Sequence, residues 1–538
     1  MAYGSTAHKL FEVPELLGII YGYTERRRRP RLLRISRAFF LAGAPLIWEE
    51  VVGIQFILRL LPSVSFRVYL DKDERRHGMV VVSSNLEEPT EFARFDLYTR
   101  FVKRLKAFSP DMASYRVTGW RHLSGQAKSR VFLPNLLELT ITPTFRGMDQ
   151  HLFLWIRMFL SPSLTSIVVG AMSDGSLSTI PGLAVKALLG HVGATCQNLR
   201  HLQIFSAAAE DGDSKRERSD YLFADFWEPS FFERLAGLRL QKLGCTTELL
   251  SPEWIHLLGE FSLLKSLDLY KVRNYEIADS QPKALPRLEH FGIHFASCND
   301  VETIAGLGLL GGLNSLTIVF RRMDAVVGDG WERSIILSIS RNSPGLTKLH
   351  IEFDCKLEFM PEMLSFRPLG SLPLIEVCLK GGVCVPEDQL EDLAEIWPNV
   401  TRFEMWDTDE PLSLKDLQYF AKLPRVQHLA LPVSWFFGVP PQATPTEPSY
   451  VLRTFEVLKH DFDTDFDVSS LARYLLSLWP NLESVRWPWA DKPQPSDLES
   501  TTIINALSNM VAYQRGFNRL KSRIIEKHGL EELDGLMK

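Results

Sequence analysis

The chain has 538 residues, 45% of them hydrophobic and 23% charged, with 60 Lys and Arg against 65 Asp and Glu for a formal charge of −5. That balance excludes collagen-like, low-complexity and charge-swollen disordered classes. It also gives the chain no overall positive field, so a nucleic-acid partner is not expected. The six cysteines, at 196, 245, 298, 355, 378 and 384, form no CxxC pair and no cluster with paired histidines. The spacing argues against a disulfide scaffold and a zinc module, and the cysteines read as buried thiols in a reducing compartment.

Residues 1–9 read as a flexible N-terminus. Glu12 and Glu15 stand beside Val13 and Leu16 with no basic leader and no pure apolar block, so an intracellular protein of the cytoplasm and/or nucleus is expected. A helical module is expected over 10–52. In VPELLGIIYGY (13–23), Pro14 and Glu15 suit a first helical turn, and Leu16, Ile19, Ile20 and Tyr23 follow at helical spacing, with Leu17 widening the stripe. A second helix is expected from Pro30, with Leu32, Ile35, Phe39 and Ala42 on one face, extended by Leu33 and Phe40; APLIWEEV (44–51) then forms a short amphipathic element carrying Trp48. Six arginines crowd positions 26–34. Arg31, Arg34 and Arg37 fall opposite the apolar face of the second helix, which reads as a solvated or partner-facing flank, with a nuclear-import signal and nucleic-acid contact as the alternatives. Roughly 40 residues cannot close a self-sufficient core without metal or disulfide. The module must therefore lean on something, and Pro14, Leu16, Leu17, Ile20, Leu33, Ile35, Phe39 and Trp48 are the candidate anchors for a partner helix or groove.

The order of an apolar-Pro-Glu-Leu-Leu start, a middle Ser-Arg-Ala-Phe-Phe and a closing Leu-Ile-Trp resembles the F-box over about Leu10–Val52. FARFDLYTRFVKRLKAF (92–108) is similar to the segment that comes after it in fungal F-box proteins with repeat tails. The resemblance implies docking to a Skp-family adaptor and, through it, to a cullin. Residues 53–130 are expected to be a linker and the N-terminal cap of a repeat array that starts at 131.

From 131 to 490 one phrase recurs thirteen times: an apolar residue, two others, a second apolar residue, one other, a third. Its first anchors are Leu136, Leu164, Leu199, Leu235, Leu264, Leu288, Leu313, Leu346, Leu374, Val400, Val426, Leu452 and Leu482, 24 to 36 residues apart. Each phrase alternates as a short strand does, and segments such as EDQLEDLAEIW (387–397), LKDLQYFAKL (414–423) and DVSSLARYLLSLW (467–479) between them show helical spacing. A strand–helix unit of roughly 26 residues cannot bury its apolar edge alone, so neighbours must stack and share a core.

The phrase resembles the leucine-rich repeat, in divergent form because the Asn or Cys that should come two residues later is generally missing. The fold class expected is therefore α/β: an N-terminal helical F-box-like module, then a leucine-rich-repeat-like solenoid, a curved parallel sheet with helices on its convex side. Its capping end is expected at 491–538, where Ile503, Leu507, Met510 and Val511 come after the breaker-rich DKPQPSD (491–497).

No catalytic constellation stands out. DFDTDFD (461–467) imitates a calcium loop but has Phe466 at its sixth place and Ala472 at its twelfth, where glycine and glutamate are needed. His290 and His294 share one side of a strand without a third ligand. The uncharged run Thr303–Phe320 holds four glycines and fits the repeat, so a membrane span is not expected. Cofactors are expected to be none, and the chain to be no enzyme; the dense 205–235 insertion is the weak exception. What the repeats offer is the strand face opposite the core, where Phe205, Arg239, Tyr270, His294, His350, Arg402 and Trp406 are the candidate contacts for an unknown target protein. The reading is a substrate-recognition adaptor of an SCF-type (Skp–cullin–F-box) ubiquitin ligase. The alternative is a non-enzymatic repeat scaffold whose N-terminal helices cap it.

Overall fold

A computed structural model of the chain describes residues 13–25, 28–70, 76–108, 114–141, 149–170, 179–180, 182–206, 237–250, 255–270, 287–296, 298–306, 308–320, 331–353, 361–381, 383–406, 411–434, 448–458, 468–486 and 498–528, with the single positions 72, 285 and 408. Most of the 205–235 insertion, the acidic 461–467 segment and the 491–497 breaker lie outside the described residues. The chain divides into two compact units, Met1–Leu267 with Val272–Tyr275 and Asp268–Lys271 with Glu276–Lys538.

The first unit opens with three helices, α1 (Pro14–Tyr23), α2 (Arg29–Leu32) and α3 (Arg37–Trp48). Leu17 and Tyr21, one turn apart on α1, meet Phe39 on α3 in a small shared core, with Ile20, Leu32, Leu33, Ala38, Ala42 and Ile47 packed around it. Tyr21 donates its hydroxyl to the Phe39 carbonyl at 2.9 Å, which satisfies a polar group that burial would otherwise strand. Gly43 lets the helices come that close, because a Cβ there would fall inside the Tyr21 ring.

The single helix expected from Pro30 to Ala42 does not form. The helix from Arg29 stops at Leu32, and Ser36, extended (φ −157°, ψ 168°), caps the next one, its Oγ accepting from the Phe39 amide at 3.3 Å. The break also turns Ile35 out to solvent, and the third expected element merges into α3. In the arginine run, Arg28 pairs with Glu25 at 3.1 Å in full exposure and Arg29 Nε donates to the Thr24 carbonyl at 3.0 Å, while Arg31, Arg34 and Arg37 are exposed.

The strands in chain order are β1 (Glu50–Val52), β2 (Val64–Leu70), β3 (Arg76–Val82), β4 (Arg104–Lys106), β5 (Ser114–Thr118), β6 (Glu138–Ile141), β7 (Ser166–Val169), β8 (Thr179–Ile180), β9 (His201–Gln203), β10 (Phe205–Ser206) and β11 (Lys242–Thr246). They continue as β12 (Ser266–Tyr270), β13 (His290–Ala296), β14 (Ser315–Phe320), β15 (Lys348–Glu352), β16 (Glu376–Lys380), β17 (Arg402–Met405), β18 (His428–Leu431), β19 (Thr454–Val457) and β20 (Ser484–Arg486). Fifteen of them form one sheet whose order follows the chain, β1-β4-β6-β7-β9 and then β11 to β20. The fold is an α/β solenoid.

At twelve of the thirteen expected phrases the strand begins two residues after the first anchor. Period two then sends the third and fifth residues after the anchor into the core: in β17, Phe403 and Met405 are buried under Val400. The register is locked from outside the strands as well. The Ile375 carbonyl accepts from Thr401 and Arg402 (2.8 and 3.1 Å), and Thr401 in turn accepts from Gln427 and His428 (2.8 and 3.1 Å). A polar residue is tolerated one place after each anchor because it is the backbone there that does the joining.

Two boundaries move. The expected phrase at Leu235–Gln241 is displaced by five residues: Leu235 lies outside the described residues, and Leu240, Leu243 and Cys245 are the buried anchors of β11. The repeat sheet also begins before 131, since Val51, Leu105 and Leu139 stand in register as its first core layer. Between β1 and β6 sits an unexpected three-stranded sheet, ordered β2-β3-β5.

At the other end, within the second unit, the helix Leu498–His528 lies against Val468–Leu478 and β20. It buries Leu507 and Val511 and pairs Arg515 with Glu483 at 3.4 Å, covering what would be an exposed sheet edge.

Candidate functional site

In the second unit the outward positions of β15, β16 and β17 line a cleft of about 290 Å³. Parallel register sets their side chains in rows. Lys348, Glu376, Arg402 and His428 make the first row, and His350, Cys378 and Glu404 the second. Glu352 and Lys380 make the third, which Trp406 continues by donating its amide to the Leu379 carbonyl at 2.9 Å.

Opposite charges meet along and between these rows. Lys348 Nζ reaches Glu376 Oε1 at 2.8 Å, and Lys380 Nζ lies 3.8 Å from Glu352 Oε2 and 5.2 Å from the Trp406 ring centre, a cation–π approach. Glu404 is the hub. It accepts from Arg402 Nε at 2.6 Å and from the Trp406 indole at 3.1 Å. Burial alone would raise its carboxyl, but those two hydrogen bonds and the Arg402 charge outweigh it and leave Glu404 below the usual carboxylate range. The Cys378 thiol, 3.6 Å from Glu404, is pushed up to about 12 by burial and then by that carboxylate, so it stays protonated and is a poor nucleophile.

Beside the cleft, His428 Nε2 is buried without a hydrogen bond, 3.9 Å from Glu404 and 3.8 Å from Glu456. Burial and the Arg402 charge lower its pKa, whereas burial and the Glu404 charge raise that of Glu456. Such a face can hold charged and aromatic side chains of a partner. Among the described residues no group of His, Cys, Asp and Glu is placed to hold a metal ion.

The structure brings together His350, Arg402 and Trp406 of the expected target contacts, all around this cleft. Tyr270 and His294 form a separate pair, stacked at 4.3 Å with Asp268 3.7 Å from the imidazole. Two expectations are corrected. Phe205 is 0% exposed, because the chain leaves the repeat ladder after Gln203 and Phe205 pairs with Thr179 in a two-stranded sheet of its own. Arg239 is exposed but precedes β11 and so does not stand on a strand face. Sequence reasoning missed Glu376, Cys378 and Lys380, although they occupy the same three places after Leu374 as Arg402, Glu404 and Trp406 do after Val400.

The head module splits the expected adaptor anchors. Pro14, Leu16 and Ile35 are exposed, Ile20 and Leu33 lie half-buried on the module core, and Trp48 is half-buried at 4.9 Å from Tyr98. Leu17 and Phe39, at 1% and 6% exposure, are corrected from docking anchors to internal core, since each faces the other's helix. Ile19, Leu41 and Leu46 are exposed in addition.

No protein-family model matches the sequence, and no curated protein matches it either. Among solved structures, the chain is similar to the internalin InlF of Listeria monocytogenes, at 12% identity over 76% of this chain and 86% of that one, with a TM-score of 0.27. It is also similar to Drosophila Toll in a Toll–Spätzle complex, at 11% identity over 79% of this chain and 64% of that one, TM-score 0.27. A third is the plant peptide hormone receptor RGFR1 in complex with RGF2, at 11% identity over 77% and 72%, TM-score 0.24. The assignment of the fold rests on the strand ladder itself.

Proposed function

We propose that this chain is a non-enzymatic protein-interaction adaptor of the SCF type, its three-helix head docking to a Skp-family protein and thereby a cullin, and its repeat strands selecting a target protein. The observation that carries the reading is the division within the head. Leu17, Tyr21 and Phe39 give it an internal core, while Leu16, Ile19, Ile35, Leu41 and Leu46 stay 38–61% exposed. Apolar side chains left out of a core in a module this small are suited to an interface. Burying the exposed half of each is worth on the order of 1 kcal/mol. On this reading the bond-making chemistry of ubiquitination belongs to other subunits, and the chain raises a target's effective concentration near them.

The test is a pull-down from cells with the full chain and a Leu16→Asp/Ile19→Asp variant whose helical content is unchanged. Recovery of a Skp-family protein that the variant loses supports the adaptor. A second reading, a scaffold whose N-terminal helices serve only as a cap, is favoured by the packing of Phe40 and Trp48 on Tyr98 at 5.6 and 4.9 Å. It predicts no such recovery with either protein.

A further inference from the structure

The three-stranded sheet of the first unit has an open edge. Its order is β2-β3-β5, and among the described residues β2 pairs only with β3, antiparallel, Val64 with Val82 through Leu70 with Arg76. The Ser83 amide donates to the Ser63 carbonyl at 3.0 Å, which fixes the hydrogen-bonded pairs on the odd residues of β2. The N–H and C=O groups of the even residues therefore point away from β3. Val64 spends its amide on the Leu61 carbonyl at 3.0 Å; no hydrogen bond among the described residues takes up those of Phe66, Val68 and Leu70.

The side chains on this edge are not those of a protected one. Natural edge strands carry inward charges, proline or bulges that discourage pairing. Here the even face is Val64, Phe66, Val68 and Leu70, with Val68 and Leu70 46% and 61% exposed and Gly78 opposite Val68, so the apolar face runs on past its covering. On the other face, Arg67, Met79 and Arg116 form one row across the sheet. The three strands contain Arg67, Arg76, Arg116 and His77 but no Asp or Glu, and Arg59 lies over the Phe66 ring at 5.0 Å. A net-acidic chain thus carries a purely cationic sheet here.

We propose that β2 is a docking edge for an extended acidic segment of a partner protein, which adds to the sheet as a fourth strand. Its main chain pairs with the outward groups of Phe66, Val68 and Leu70, alternate apolar side chains lie on Val68 and Leu70, and the intervening carboxylates face Arg67 on the adjacent strand, with Arg116 adding only a more distant positive field. A second copy of this chain is a poorer occupant. Two such edges joined about a twofold axis would bring like-charged sheets together, which cross-strand pairing disfavours. The edge uses neither the helical head nor the cleft, so it stands or falls apart from the adaptor reading.

The probe is a fluorescent peptide of alternating valine and glutamate, about eight residues long to match a strand, with the valine–lysine peptide as control. Binding to the full-length protein is read by anisotropy. Val68→Pro deletes an outward N–H and the valine side chain beside it, which an edge strand tolerates, and Arg67→Glu changes only the exposed face. The acidic peptide should bind at least about tenfold tighter than the basic one, and each substitution should weaken it by about tenfold. Arg67→Glu should also narrow the preference. Equal binding of the two peptides, unchanged binding by both variants, or no binding at millimolar peptide overturns the proposal. So does a dimer of the wild-type protein that Val68→Pro dissolves, since the edge would then belong to a second copy.

Discussion

Phe403 tests whether repeats share one core and whether the cleft depends on it. Its side chain is 0% exposed and lies between two aromatic neighbours, Trp397 at 5.9 Å and Phe420 at 6.1 Å, which belong to the segments before and after β17. Phe403→Ala removes a fully buried ring, and the stiff ladder around it cannot collapse into the space. The cost expected is about 3–5 kcal/mol, in the upper part of that range because two tilted ring contacts go with it. Phe403→Leu keeps most of the volume and should cost less than about 2 kcal/mol. Stability of a stack resides in interfaces between neighbours, so the loss should open β17 locally before the rest. Urea unfolding with hydrogen exchange measures both quantities: the midpoint gives the free energy, and the amides of β16 to β18 should lose protection before those of β13 and β14. A cost below about 1 kcal/mol for the alanine, or equal loss for alanine and leucine, would refute the shared-core account.

Two further outcomes are expected from the geometry. Gly43→Ala should unfold or splay the head, because its methyl overlaps the Tyr21 ring; far-ultraviolet circular dichroism and proteolysis within 13–48 report it, with Gly22→Ala, where nothing lies near an added Cβ, as the control. Acid stability should carry a signature of His428: its folded pKa is lowered, so below the ordinary 6.5 the unfolded chain binds a proton that the folded chain refuses, and stability falls as pH drops through that window. His428→Gln should flatten the melting temperature over the upper part of that window. Glu456, whose folded pKa is raised, has the opposite slope and stabilises towards acid.

Much of the fold was legible because the repeat phrase encodes burial directly. In Val400–Trp406 the first, fourth and sixth residues are core, and nothing else in the phrase needs to be apolar. The failures have particular causes. Leu235, Leu238 and Leu240 match the phrase as well as Leu240, Leu243 and Cys245 do, and only the burial of Leu243 and Cys245, with Leu243 in register with Leu202, decides between two frames that share a leucine. Ser36 sits in the middle of a continuous helical stripe, where hydrophobic period outweighs a single capping hydroxyl on paper; in the chain the hydroxyl and the extended backbone win. The small sheet went unread because it does not repeat, although VSFRVYL and HGMVVV alternate or cluster β-formers as strands do.

The charges on the cleft face answer to the ladder as well as to any partner. Equivalent residues of adjacent parallel strands stand about 4.8 Å apart, close enough that like charges in one row would repel. Lys348, Glu376 and Arg402 alternate in sign accordingly, and the acids Glu404 and Glu456 are kept two strands apart by Ala430 between them. A sequence can therefore place a lysine in such a row for the sake of the glutamate beside it. Trp406 is different: its ring stays half-exposed beside Lys380 while its N–H holds the Glu404 carboxylate in place. Under the proposed function, in which the repeats select a target, the residues least explained by stacking are the ones to substitute first, and on this face that is Trp406.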